Sequence, residues 1–195
     1  MKLVFATHNQ NKLKEVQELV PSHIELLSLT DINCHEDIPE TSYTLAGNAV
    51  QKARYVKEKY GYDCFSEDTG LEIDALNGEP GVMTARYAGP ARDAEANNYK
   101  VFLEMFRRLD RAARFRTFIC LILNGEEHLF EGRCEGWITE VVKGEGGFGY
   151  DPIFIPVEGD GRTFAEMTGA EKRQFSHRAK AMTKLSDFLR ENAAG

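Results

Sequence analysis

The chain has 195 residues, with 24 Lys and Arg against 31 Asp and Glu, giving a formal charge of −7. Hydrophobic residues make up 42% and charged residues 28%, which excludes a chain that is disordered as a whole. The acidic average argues against a protein that grips duplex nucleic acid through a broad basic face, but leaves room for a small local anion pocket.

Leu3 to Ala6 is a short apolar run that predicts a buried strand. It breaks at the polar turn Thr7-His8-Asn9-Gln10-Asn11-Lys12. Leu13, Val16, Leu19 and Val20 then recur at helical spacing until Pro21. Ile24 to Leu29 predicts a second strand, and the polar stretch Asp31 to Thr44 follows. Leu45 to Tyr60 carries a helical pattern closed by Gly61. Asp63 to Glu67 and Leu71 to Ala75 read as two strands flanking the acidic turn Glu67-Asp68-Thr69-Gly70. Asn77 to Pro90 reads as a loop, after which Asp93 caps a helix with Tyr99, Phe102, Phe106 and Leu109 on its apolar face. Phe115 to Leu123, Asn124-Gly125 and His128 to Val142 read as a long hairpin, because Asn-Gly favours a type I′ turn. A glycine-rich stretch, Gly144 to Asp151, precedes a strand at Ile153 to Ile155. Thr168 and Glu171 have capping-box spacing, and Ser176 can cap a last helix whose apolar face is Ala179, Met182, Leu185 and Leu189. The sum is a mixed α/β chain, one domain over residues 1–195, too irregular for a simple Rossmann alternation.

No pair among Cys34, Cys64, Cys120 and Cys134 has CxxC spacing, so a zinc ribbon or redox motif is not expected. Cys64 and Cys120 sit in apolar runs and read as buried thiols in a reducing, cytoplasmic setting. The first residues turn polar at Thr7, unlike a signal peptide, and no apolar run approaches the ~20 residues of a membrane span.

Five segments bear chemistry, each with a plainer alternative. A polar turn from strand to helix, as at Thr7 to Lys12, aims backbone N–H groups at one point and suits phosphate. It lacks the glycines of a P-loop, and an ordinary solvated turn is the alternative. Glu67 and Asp68, with Glu40 as a third carboxylate, suit a hard cation such as Mg²⁺ beside substrate phosphates, or one of them takes a proton from water. An acidic turn is the alternative. Gly146 to Pro152 lets backbone approach a ligand, and Phe148 offers a face for a planar base; packing on the core is the alternative. Lys172, His177 and Arg178 put positive charge near helix starts, against the dipole, which suggests an anion there rather than a chance surface cluster. Lys52, beside Asn48 and Gln51, is either a further anion contact or a solvated helix face.

The ordered set Ala6-Thr7-His8-Asn9-Gln10-Asn11-Lys12, Glu67-Asp68-Thr69-Gly70-Leu71, Pro80-Gly81 with Ala85-Arg86-Tyr87, Phe148-Gly149-Tyr150-Asp151-Pro152 and Ser176-His177-Arg178 resembles the inosine triphosphate pyrophosphatase family. The likeness runs from Lys2 to about Leu189. It implies a mixed α/β fold with a long central sheet and two lobes around an active-site cleft. It implies hydrolysis of ITP, dITP and XTP to the monophosphate and pyrophosphate, with Mg²⁺, in a homodimer. Carried over by position, Thr7, Asn9 and Lys12, within a substrate segment that includes His8, Gln10 and Asn11, contact the triphosphate, as does Lys52. Glu40 and Asp68 are the implied metal carboxylates, Asp68 also the implied base, and Thr69 a substrate contact. Phe148 stacks on the purine, Gly149, Tyr150 and Asp151 line its edge, and Lys172, His177 and Arg178 complete the base and phosphate contacts. His8, Gly47, Glu67, Thr69 and Thr84 depart from the commoner residues at their positions. Two other readings are a nucleotide pyrophosphatase of different base specificity and a non-catalytic nucleotide-binding protein. The carboxylates argue against the second, since a mere binder gains little from negative charge near phosphate.

Overall fold

The computed structural model describes residues 1–192, which fall in two compact units. One unit takes in Met1–Asp68, Thr117–Gly132 and the chain from Ala179; the other takes in Thr69–Arg116 and Arg133–Arg178. Six strands form one sheet in the order β2-β1-β3-β4-β5-β6. These are β1 (Lys2–Phe5), β2 (Glu25–Leu27), β3 (Cys64–Ile73), β4 (Ala112–Leu123), β5 (Glu126–Ile138) and β6 (Phe154–Pro156). Strand β1 pairs in parallel with β2 and β3, while β5 and β6 are antiparallel, so the sheet is mixed.

Alternation along β1 and β3 builds the first unit in three layers. Leu3, Phe5 and Phe65 face Val16 of α1 (Gln10–Gln17) and Ala181, Met182, Leu185 and Leu189 of α5 (His177–Asn192). The Phe5 and Phe65 rings stack at 4.7 Å on neighbouring strands. Val4, Ala6 and Cys64 face the other way, onto Ala49, Ala53 and Val56 of α2 (Leu45–Tyr60). That helix begins at Thr44, whose side chain accepts from Gly47 N, and ends at Gly61 in the left-handed conformation, as its sequence predicts.

In the second unit, Leu71, Ile73, Phe115, Phe154 and Phe164 share one core with Val101 of α3 (Ala94–Glu104). The short helix α4 (Gly169–Arg173) carries the expected capping box between Thr168 and Glu171. Asn124 and Gly125 both have positive φ, 51° and 85°, as a two-residue type I′ hairpin turn between β4 and β5 requires.

Three expectations change. The acidic turn is instead the middle of β3, a strand buried along nearly its whole length. Turn-type residues stay in a strand here because Ser66, Glu67 and Asp68, all buried, each find a polar partner. Helix α3 turns Asn97, Asn98 and Val101 inward and leaves Tyr99, Phe106 and Leu109 exposed. Asn97 holds Ala88 N at 2.7 Å and Ala85 O at 3.0 Å, and this amide bonding overrides the aromatic pattern. Strand β5 stops at Ile138 rather than Val142, because the Arg111 guanidinium takes the Ile138 and Thr139 carbonyls at 2.6 and 2.7 Å.

Among the described residues no helix is long and apolar enough to cross a membrane. All four cysteines are buried, and none is in a disulfide. Burial pushes the Cys64 and Cys120 thiols up to about 12. A thiol reagent such as Ellman's, at pH 8, is expected to label none of the four in the native protein and all of them in denaturant. Rapid native labelling of Cys64 or Cys120 would contradict this packing.

Candidate active site

The first cluster grows from a buried stripe on α2. Leu45, Asn48, Ala49, Lys52, Ala53 and Val56 recur at helical spacing and are all buried. Even-numbered residues of β3 face that stripe. Cys64 Sγ donates to Ala53 O at 3.2 Å, Ser66 Oγ to Ala49 O, and Asp68 Oδ2 accepts from Asn48 Nδ2 at 3.2 Å. Lys52 Nζ donates to Glu67 O at 2.6 Å and to Glu40 Oε1 at 2.7 Å, and lies 4.0 Å from Asp68 Oδ1. The Glu67 side chain, on the opposite face of β3, meets Lys12 Nζ at 2.9 Å and is fully buried. Lys52 is therefore not a solvated face residue.

Burial raises the Asp68 carboxyl above the ordinary range, and Glu40 adds to this; Lys52 and Lys12 oppose it. Glu40 and Asp68 border the same ammonium, so the two carboxylates are neighbours. That donor set fits a hard divalent cation, which takes one or two carboxylates together with substrate phosphates. Among the described residues no cluster of three or more His, Cys, Asp or Glu is placed to hold a metal. The three-carboxylate grouping of Glu40, Glu67 and Asp68 is not formed, because Glu67 is turned to Lys12.

The turn before α1 is more self-satisfied than its sequence suggests. Asn9 is the N-cap, and its Oδ1 accepts from Asn11 N at 3.0 Å and Lys12 N at 3.1 Å. Thr7 Oγ1 accepts from Asn9 N at 3.1 Å. These oxygens act as acceptors inside the turn and hold the loop in shape. His8, Gln10 and Asn11 are exposed there, and His8 Nε2 donates to Glu36 O at 2.9 Å.

The second cluster lies in the other unit. Asp151 Oδ2 accepts from Phe148 N at 3.1 Å and from Lys172 Nζ at 2.8 Å, and both members of the ion pair are buried. Gly147 has a φ of +66°, and a Cβ there would meet Asp151 Oδ2 at 2.2 Å, so only glycine lets the loop close on this carboxylate. Lys172 Nζ stands 4.9 Å from the Phe148 ring centre, and the buried Arg178 guanidinium 5.7 Å from it. Arg178 also donates to Thr69 Oγ1 at 3.5 Å. Tyr150 is buried with its hydroxyl committed to Thr84 O at 2.6 Å, so it anchors the loop that Gly149 belongs to. The His177 ring is buried and stacks on Phe115 at 4.6 Å. Lys172, His177 and Arg178 are not a chance surface cluster.

The sequence offers Asn48 only as a neighbour of Lys52, and Asn98 not at all. Asn48 was findable, since it shares a helical stripe with Ala49, Lys52 and Ala53. Asn98, whose Nδ2 donates to Gly149 O at 3.2 Å, lay hidden in a helix whose aromatics suggested the opposite face.

The sequence model of the Ham1 family matches residues 3–188. This chain belongs to the Ham1 family. It is 56% identical over 189 residues to a dITP/XTP pyrophosphatase of Christiangramia forsetii, covering 97% of this chain and 99% of that one. It is 44% identical to the dITP/XTP pyrophosphatase of Bacillus subtilis, covering 95% and 96% of the two chains. The fold superposes on a HAM1 protein from Coxiella burnetii with a TM-score of 0.90 at 37% identity, covering 98% and 99% of the two chains. The resemblance read from the motifs and the mixed α/β fold class are both borne out.

Two measurements check this geometry. Either Asp151→Asn or Lys172→Met strands a buried charge and is expected to cost about 3–5 kcal/mol, while the double variant costs less than the sum. Strict additivity would contradict the pairing. A raised native pKa makes the ionised Asp68 a stability cost above its unfolded pKa, and that cost is relieved as pH falls through the native value. Asp68→Asn keeps an oxygen for Asn48 and leaves Lys52 its other partners. Without divalent metal its Tm is expected to exceed that of the parent chain at pH 7, with the gain shrinking in acid. A lower Tm at pH 7 would contradict the desolvation account.

Proposed function

We propose that the chain hydrolyses non-standard purine nucleoside triphosphates (dITP, XTP and ITP) to the monophosphate and pyrophosphate, acting over residues 1–195 as one domain. The observation that carries this reading is the Lys52 ammonium beside Glu40 and Asp68, a charge set suited to a metal-complexed phosphate chain. The base preference comes from the dITP/XTP pyrophosphatases that the chain matches over nearly its whole length.

Glu40 and Asp68 would hold a divalent cation, Mg²⁺, which neutralises charge on the phosphates. Lys12 and Lys52 stabilise negative charge that develops on the pyrophosphate leaving group. Thr7, Asn9 and the turn through Lys12 orient the phosphate chain, and Thr69, whose hydroxyl meets Arg178, is a further substrate contact. Asp68, with its pKa raised by burial, orients the attacking water and accepts its proton at a carboxylate oxygen, and the attack is in line at the α-phosphorus. Phe148 stacks on the purine, and donors at Lys172 and along the backbone through Asp151 read the 6-keto oxygen, with His177 and Arg178 behind them. An adenine 6-amino group facing those donors leaves them unmet, at a cost of about 1–3 kcal/mol for each group. The buried thiols, none of them in a disulfide, support a cytoplasmic setting. Tyr99 and Leu103 on α3, with Phe106 and Leu109 beyond it, present exposed apolar surface that supports a homodimer.

Pyrophosphate release with Mg²⁺ is expected to be at least ~100-fold faster, as kcat/KM, on dITP and XTP than on dATP. Equal rates on all of them, or release of orthophosphate alone, would overturn the reading. Asp68→Asn is expected to lower kcat by ~10²–10⁴. Phe148→Ala is expected to weaken purine nucleotide binding by about 10–100-fold with little change for pyrophosphate.

A further inference from the structure

Segment 36–44 is fastened along α2 in antiparallel order. Thr44 Oγ1 accepts from Gly47 N at 3.0 Å, and Ser42 N donates to Asn48 Oδ1 at 2.8 Å. Thr41 N donates to Gln51 Oε1 at 2.8 Å, and Gln51 Nε2 returns a bond to Thr41 Oγ1 at 2.9 Å. Glu40 then meets Lys52. The row ends at Glu36, against the last turns of the helix. Its carboxylate accepts from Tyr55 Oη at 2.8 Å, from Tyr60 Oη at 2.7 and 2.9 Å, and from Lys59 Nζ. Its backbone carbonyl accepts from His8 Nε2 at 2.9 Å.

We infer that Glu36 is a positioning residue, through which α2 fixes both the segment carrying Glu40 and the turn carrying Thr7, Asn9 and Lys12. This rests on the proposed reading of Glu40 as a metal carboxylate. Glu36 itself touches no reacting atom. Three donors from one helix fix its carboxylate in direction as well as in place, which an apolar contact does not do. The carbonyl of the same residue then holds the His8 side chain, so one residue ties two substrate-facing segments to a single frame. Hydrogen bonding by Lys59, then by the two tyrosines, holds the Glu36 carboxyl well below the usual carboxylate range, so it stays ionised in neutral solution. Groups that orient metal-binding carboxylates commonly change metal affinity by 10–100-fold when removed.

The test is Mn²⁺ binding, followed by electron paramagnetic resonance of the free ion, to the intact chain with inorganic pyrophosphate present. Glu36→Ala is expected to weaken Mn²⁺ binding about tenfold while the far-ultraviolet circular dichroism is retained. Tyr60→Phe is expected to weaken it about threefold, and serves if Glu36→Ala does not fold. Glu127→Ala removes a different partner of α2, the Arg54 ion pair on its exposed side, and is expected to leave Mn²⁺ binding unchanged. Equal weakening in Glu127→Ala would reduce Glu36 to general helix support and overturn the inference. Glu40→Gln separates the two claims. If it weakens Mn²⁺ binding and folded Glu36→Ala and Tyr60→Phe do not, the inference alone falls. If Glu40→Gln binds Mn²⁺ as the parent does, the reading of Glu40 falls and the inference with it.

Discussion

The Lys52 side chain is buried, and the first cluster is organised around supplying its amine with acceptors. A buried lysine needs acceptors close by, because the ion's lost hydration is worth several kcal/mol or more. The Glu67 carbonyl, the Glu40 carboxylate and the nearby Asp68 supply them. Each supply imposes a condition. Strand β3 must run unbroken past α2 to present the carbonyl, and α2 must turn Asn48 and Lys52 inward among alanines. A polar segment must also lie along α2 to deliver Glu40. An apolar set of similar volume would satisfy stability with fewer conditions, and under the proposed function these charges serve the phosphate chain.

The second cluster obeys the same rule with a different cation. Lys172 is buried against Asp151 and between the Phe148 and Phe164 rings. Asp151 also takes the Phe148 backbone N–H, so the ion pair sets the shape of the loop that presents the aromatic ring. In both clusters a buried lysine and its carboxylate partner are tied to a stretch of backbone. Under the proposed function this preorganises donors for phosphate oxygens in one cluster and for a purine edge in the other, with little reordering left to binding.

Local signals were legible in the sequence and tertiary ones were not. Helix α2 from Leu45 to Tyr60, the Asn124-Gly125 turn and the Thr168–Glu171 capping box were readable because each depends on residues within one turn or a few positions. The acidic middle of β3 was misread because its strand character depends on partners in α1 and α2, far away in sequence. The inward face of α3 was misread because Asn97 and Asn98 bond to distant backbone, which no hydrophobic pattern encodes. Among the motif residues Lys12, Lys52, Asp68, Asp151 and Lys172 meet buried partners, while His8, Gln10 and Asn11 stay exposed. The internal use of Thr7 and Asn9 as acceptors, and the anchoring of Tyr150 to Thr84, became visible only with the fold.

Under the proposed function, water attacks the α-phosphorus of a bound triphosphate. Hydrolysis of XTP in ¹⁸O-labelled water, with mass analysis of both products after a single turnover, locates the attack. The label is expected in the nucleoside monophosphate and none in the pyrophosphate. Label in the pyrophosphate, or in released orthophosphate, would place the attack at another phosphorus and contradict the proposed function.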